Sequence, residues 1–111
     1  MRVFSFTIVA AGLAAFALDV QAGTVDTAEC RRDLIVMDSE LSTAQAKLVK
    51  AQDSSRQEQC AVWREQITTF KKASALYKRC KTDTDRRVMS GQMDSQVNDF
   101  QSALTQMCKG R

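Results

Sequence analysis

Apolar and small residues recur every three or four positions in the chain after residue 27. They fall at Cys30, Leu34, Met37, Leu41, Ala44, Leu48 and Ala51. This spacing keeps a narrow stripe on one side of a helix and is typical of a coiled-coil seam. Asp26 followed by Glu29 resembles a capping box, in which a side-chain oxygen accepts a hydrogen bond from a free backbone N–H. The pattern predicts a first helix over about residues 27–52.

Two further stripes with helical spacing follow along the chain. The second comprises Cys60, Trp63, Ile67, Phe70, Ala73, Tyr77 and Cys80, and the third comprises Met89, Met93, Val97, Phe100, Leu104 and either Met107 or Cys108. Ser55 and Glu58 form a second capping box, and Thr82 or Asp83 is expected to cap the last helix. We predict helices over about residues 56–80 and 84–108 and expect both stripes to form core.

The composition favours helices throughout. The chain has 111 residues, no Pro and four Gly, so little in it marks tight turns or strand corners. Three helices joined by short turns fold most simply as an all-α, antiparallel three-helix bundle, up-down-up, with coiled-coil-like seams. Such a bundle has little interior beyond its own side chains, and we therefore expect no deep cleft.

The N-terminus has the features of a secretory leader. Arg2 precedes an uncharged run over residues 3–18, Asp19 ends that run, and Ala22 provides a small residue before Gly23. The run is shorter than the roughly 20 apolar residues that a membrane-spanning helix needs. We therefore predict a signal peptide over residues 1–22, a mature helical domain over residues 23–111, and a secreted or periplasmic location. A retained leader would instead leave a membrane-anchored coiled-coil protein.

Four cysteines in a short exported chain predict two structural disulfides. Cys60 and Cys80 lie about 30 Å apart along one helix, whereas a disulfide needs Cα atoms within about 7 Å. In an up-down-up bundle, only the pairs Cys30–Cys80 and Cys60–Cys108 bring both partners to the same end. The gaps between these cysteines are too long for the paired ligands of a zinc site, and we expect no metal or cofactor.

Two outer surfaces are candidates for binding. One is a basic patch that comprises Arg31, Arg32, Lys78, Arg79, Lys81, Arg86 and Arg87. It could bind an anionic partner, or it could be a solvated helix end with acidic neighbours. The other is the back face of helix 1, which comprises Ile35, Val36, Ser39, Ser42, Ala46 and Val49. It could contact a partner helix or a second copy in a homodimer, or it could be ordinary scattered surface.

The chemistry of the chain favours binding over catalysis. There is no His, and the net charge of +3 is too small to indicate nucleic-acid binding. We do not expect an enzyme. The sequence predicts a small exported disulfide-stapled helical protein that binds a protein or an anionic envelope component. The alternatives are a periplasmic holdase-like chaperone and the membrane-anchored coiled-coil protein.

Overall fold

The computed structural model describes residues 23–109, and this part of the chain is built from three helices packed together. Helix α1 covers Ala28–Ala51, α2 covers Arg56–Cys80 and α3 covers Asp83–Met107. Each helix begins and ends within one residue of its predicted bounds. The predicted signal peptide lies outside the described residues.

Helix α1 begins one residue later than the sequence suggested. Its N-cap is Thr27, whose side-chain oxygen accepts a hydrogen bond from the N–H of Cys30 at 3.1 Å. The prediction that Asp26 caps this helix is wrong. The N–H of Val25 donates to the carbonyl of Cys80 at 2.8 Å, the N–H of Thr27 donates to the carbonyl of Val25 at 3.0 Å, and Thr27 itself is extended where the helix starts.

The starts of α2 and α3 differ in how they are capped. Ser55 caps α2 as predicted, because its hydroxyl accepts from the N–H of Glu58 at 3.2 Å. Thr82 is the N-cap of α3 but makes no side-chain cap bond, and its N–H donates to the carbonyl of Gly23. Asp83 then has a φ of 47°, a left-handed conformation that Asp adopts more readily than most residues, which allows the chain to reverse sharply.

Two disulfides join the helices near their ends. Cys30 is bonded to Cys80 with a Cα–Cα distance of 5.3 Å, and Cys60 is bonded to Cys108 with a Cα–Cα distance of 6.0 Å. These are the pairs predicted from the sequence. Their sequence separations are 50 and 48 residues. In the chain-entropy account, closing a loop of this length stabilises the fold by about 4 kcal/mol.

Helix α2 is the central element. It packs against α1, where the side-chain amide of Gln66 donates to the carbonyl of Ala44 at 3.1 Å. It packs against α3, where the rings of Phe70 and Phe100 stack with centroids 5.8 Å apart. Within residues 23–109, no Cα atom of α1 comes within 8 Å of one in α3. The backbones of α1 and α3 are therefore separated across one face of α2.

The main core cluster lies at the end that carries the Cys30–Cys80 disulfide. It comprises Cys30, Met37, Ala73, Leu76, Tyr77 and Cys80, with Val25, Leu34, Leu41, Met89 and Met93 packed against it. Both flanking helices thus contribute to one apolar cluster around the last turns of α2. At the far end of α3, Cys108 is buried and Met107 is 48% exposed, so the last position of that stripe belongs to Cys108.

The buried face of α2 is rotated from the predicted one in its middle. Trp63, Ile67 and Phe70 are only half-buried, although the sequence placed them in the core. Gln66 and Ser74, two polar residues, are buried instead. The reason is that α2 has neighbours on two sides only, so the face between α1 and α3 stays partly open.

A short extended segment precedes α1 and pairs with the α2–α3 connection. Thr24 forms an isolated antiparallel bridge with Lys81, and the carbonyl of Gly23 accepts from the N–H of Thr82 at 2.9 Å. Gly23 also lies against Asp85, and a Cβ atom at this position would overlap the Asp85 side chain. The absence of a side chain at Gly23 is therefore what allows this close approach.

Two Gly→Ala substitutions should change stability in opposite directions. Gly23→Ala forces the extended segment away from Asp85, and we expect the free energy of unfolding to fall by about 1 kcal/mol. Gly91→Ala is the matched control, because nothing lies within 4 Å of a Cβ there and the residue is inside α3. It should raise stability by about 0.8 kcal/mol through helix propensity. Chemical denaturation of the oxidised proteins measures both, and an unchanged Gly23→Ala variant would contradict the packing described.

Candidate functional site

The separation of α1 from α3 creates a groove at the end with the Cys30–Cys80 disulfide. Its volume is about 830 Å³, and all three helices and the extended segment line it. Its apolar lining residues are Val25, Leu34, Ile35, Tyr77 and Met89. We call this cavity the α1–α3 groove. The sequence predicted no deep cleft because a three-helix bundle has little interior beyond its own side chains, but the space between α1 and α3 leaves a partly open groove of this volume.

Four charged side chains also line the α1–α3 groove. Asp26 and Arg31 form an ion pair with each other at its exposed edge. Asp38 projects from α1 and is exposed. Lys81 is only 5% exposed, and its ammonium donates to the hydroxyl of Thr24 at 3.1 Å. In the part of the chain that the structure describes, no carboxylate oxygen lies within 4.0 Å of that ammonium.

Tyr77 brings a phenol to the groove from α2. The residue is 4% exposed, yet it lines the cavity. Burial raises the pKa of the Tyr77 hydroxyl above its ordinary value of 10.0, and the negative charge of Asp38 raises it further. Both effects disfavour the phenolate, so the side chain is a neutral phenol at physiological pH.

A second, smaller cavity lies on the same side of α2, nearer the end with the Cys60–Cys108 disulfide. It has a volume of about 430 Å³, and Leu48, Trp63 and Phe100 are among its lining residues. Trp63 and Tyr77 are separated by two seven-residue repeats, which return to nearly the same side of a helix. The two cavities therefore lie about 21 Å apart along one side of α2.

The structure brings the predicted basic patch to one end of the molecule, beside the Cys30–Cys80 disulfide. Arg31, Arg32, Lys78, Arg79, Arg86 and Arg87 are exposed there. Carboxylates compensate three of them: Arg31 pairs with Asp26, Lys78 lies 3.7 Å from Asp94, and Arg79 lies 3.2 Å from Asp33. Exposed pairs of this kind reduce the positive field available to an anionic partner.

Lys81 does not belong to this exposed patch. The sequence grouped it with the surface cations, but it is buried and faces the α1–α3 groove. The cause is the pairing of Thr24 with Lys81, which folds the extended segment over this side chain. The predicted Cys30–Cys80 bond places the start of α1 beside the end of α2, but it does not fix the path of residues 24–27, so no signal in the sequence indicates the burial of Lys81.

The back face of α1 is exposed along its length. Ile35, Val36 and Val49 are 70%, 51% and 54% exposed, and Ser39, Ser42 and Ala46 are exposed as well. These residues do not all face one way, because Ile35 borders the α1–α3 groove whereas Val36 borders a shallow cavity that also contacts α2. No described residue of the chain covers this face.

Over residues 23–109, no three His, Cys, Asp or Glu side chains are grouped so that they could hold a metal ion. Over the same residues, none of the helices combines the length and apolar character needed to cross a membrane. The α1–α3 groove is therefore the site with the most developed geometry.

Comparisons with known proteins were made at three levels. No protein-family model matches the chain. No curated protein and no solved structure matches it either.

Titration of Tyr77 should report directly on the groove, since the chain contains one Tyr. We expect the ultraviolet absorbance of the phenolate to rise with a midpoint above 10.0 in the folded protein, and Asp38→Asn to lower that midpoint without abolishing the shift. The folded state holds this proton more tightly than the unfolded state, so its contribution to stability is complete below the unfolded pKa and is lost as pH rises above that value and through the folded pKa. Identical midpoints in native and denatured protein would contradict the burial of the phenol.

Proposed function

We propose that this protein is a small exported binding protein without catalytic activity, and that the α1–α3 groove is its binding site. The observation that carries the proposal is the groove itself. Its volume lies within the range of about 300–1,000 Å³ that is usual for small-molecule sites. Its lining combines five apolar side chains with charged and hydroxyl groups, and ligand sites likewise pair apolar walls with polar groups that orient the ligand.

The arrangement that supports this site is an antiparallel, up-down-up bundle. Cys30, near the start of α1, is bonded to Cys80 at the end of α2. Cys60, near the start of α2, is bonded to Cys108, which follows α3. With connections of a few residues at the opposite tips, these bonds favour alternating helix directions. The groove walls are then held at both ends, which limits the ordering that a ligand has to impose.

Export is supported by the disulfides and by the leader. Disulfides persist in oxidising compartments and are rare in the cytosol of most organisms. The leader pattern ends before Gly23, the first residue of the segment that pairs with the α2–α3 connection. A secreted or periplasmic location accounts for both features.

Intact mass measurement of the protein recovered from its host tests this part of the proposal. We expect a mass that corresponds to residues 23–111 with both disulfides formed, because signal peptidases cleave after small residues such as Ala22. A mass that retains residues 1–22 would refute cleavage of the leader and would favour the membrane-anchored alternative.

Binding of a neutral apolar dye tests the groove. We expect N-phenyl-1-naphthylamine to bind the oxidised protein, and Ile35→Asp to weaken that binding about tenfold, because the new carboxylate is costly to place against an apolar ligand. Val36→Asp is the matched control: it makes the same change one residue away, at an exposed position that does not line the groove. Equal effects of the two substitutions, or no effect of either, would show that the dye does not bind in the α1–α3 groove.

A further inference from the structure

We propose that the α1–α3 groove binds a single-chain carboxylate amphiphile of the fatty-acid class. In this arrangement the ligand carboxylate accepts hydrogen bonds from the Lys81 ammonium, and the hydrocarbon chain lies against Leu34, Ile35 and Met89. The proposal rests on the proposed function above and adds the chemistry of the ligand. The observation behind the proposal is that Lys81, a buried cationic residue, lines the same cavity as five apolar side chains.

Lys81 is placed as an anchor for an anion. Its ammonium has three hydrogen-bond donors, and the structure shows the hydroxyl of Thr24 as its acceptor. Lys81 as a residue is 5% exposed. A charge in a buried position costs free energy unless it is paired and hydrogen-bonded. The N–H of Lys81 donates to the carbonyl of Tyr77 at 2.9 Å, and Lys81 pairs with Thr24 in the antiparallel bridge, so its backbone is fixed beside the groove. An anionic ligand group in the groove would supply the missing counter-charge.

The surrounding charges favour an anion with a single charge. Arg31 is already paired with Asp26, so it offers little to a ligand. Asp38 lines the same groove and repels negative charge. A doubly charged phosphate would therefore meet one available ammonium and one opposing carboxylate, whereas a carboxylate matches Lys81 one to one. The neutral phenol of Tyr77 adds no further repulsion.

The rest of the groove fits a hydrocarbon chain. Five of its ten lining residues are aliphatic, aromatic or thioether in character, and Met side chains adapt well to flexible apolar ligands. The second cavity, with Trp63 and Phe100, lies farther along the same side of α2. A single hydrocarbon chain can follow this face from one cavity toward the other.

Calorimetric titration of the purified, oxidised protein, freed of bound lipid, tests the proposal without any substitution. The probes are dodecanoate, dodecan-1-ol and dodecyl phosphate, each used below its aggregation concentration. We expect dodecanoate to bind at least tenfold more tightly than the alcohol, because only the acid pairs with Lys81. We also expect it to bind more tightly than the phosphate.

A matched pair of Lys→Met substitutions then tests which lysine ammonium pairs with the ligand carboxylate. Lys81→Met keeps the length and apolar stem of the side chain, and it should weaken dodecanoate binding about tenfold while leaving dodecan-1-ol binding unchanged. Lys78→Met removes the same charge from a surface position three residues away and should change neither. Binding of dodecan-1-ol by the Lys81→Met variant shows that the groove is intact.

The outcomes separate this proposal from the proposed function. Equal affinity for acid and alcohol, or an unchanged affinity of Lys81→Met for dodecanoate, overturns the role of Lys81 but leaves an apolar binding groove. Tighter binding of dodecyl phosphate overturns the choice of a singly charged ligand. Failure of all three probes to bind overturns both the ligand class and the groove as a binding site.

Discussion

The two disulfides at the ends of α2 are the constraint on which the rest of the molecule depends. Cys60 and Cys80 are both fully buried, and each ties α2 to a different neighbour. Each neighbour is then held at one tip by sulfur and at the other tip by a short connection. A small domain supplies only a few kcal/mol from its core, so two loop closures of about 4 kcal/mol each are a large share of its stability. With the ends fixed in this way, α1 and α3 can remain apart in the middle without the fold being lost.

The sequence predicts the helices and the disulfides well, because both depend on one-dimensional regularities. The stripe from Cys30 to Ala51 marks the face of α1 that packs on α2, and Ser55 with Glu58 marks the start of α2. The rise per residue of a helix excludes a Cys60–Cys80 bond and leaves few pairings for the four cysteines. These inferences require no knowledge of how side chains meet across helices.

The candidate site is not predictable in the same way, because it forms where segments distant in sequence meet. Thr24 and Lys81 are brought together by backbone pairing, and Lys81 by itself is one more cation in a basic stretch. Gln66 looks like a solvent-facing residue until its amide is seen to bond the carbonyl of Ala44. The groove depends on the distance between α1 and α3, and apolar spacing on single helices does not determine that distance.

The way α1 is attached determines how the molecule responds to reduction of a disulfide. The backbone of α1 packs on α2 and not on α3, and the Cys30–Cys80 bond is the disulfide that ties α1 to α2, whereas the Cys60–Cys108 bond ties α2 to the residue after α3. Reduction of the Cys30–Cys80 bond alone would leave α1 joined to α2 by its packing and by the connection after Ala51, while the Cys60–Cys108 bond would still tie the end of α3 to α2.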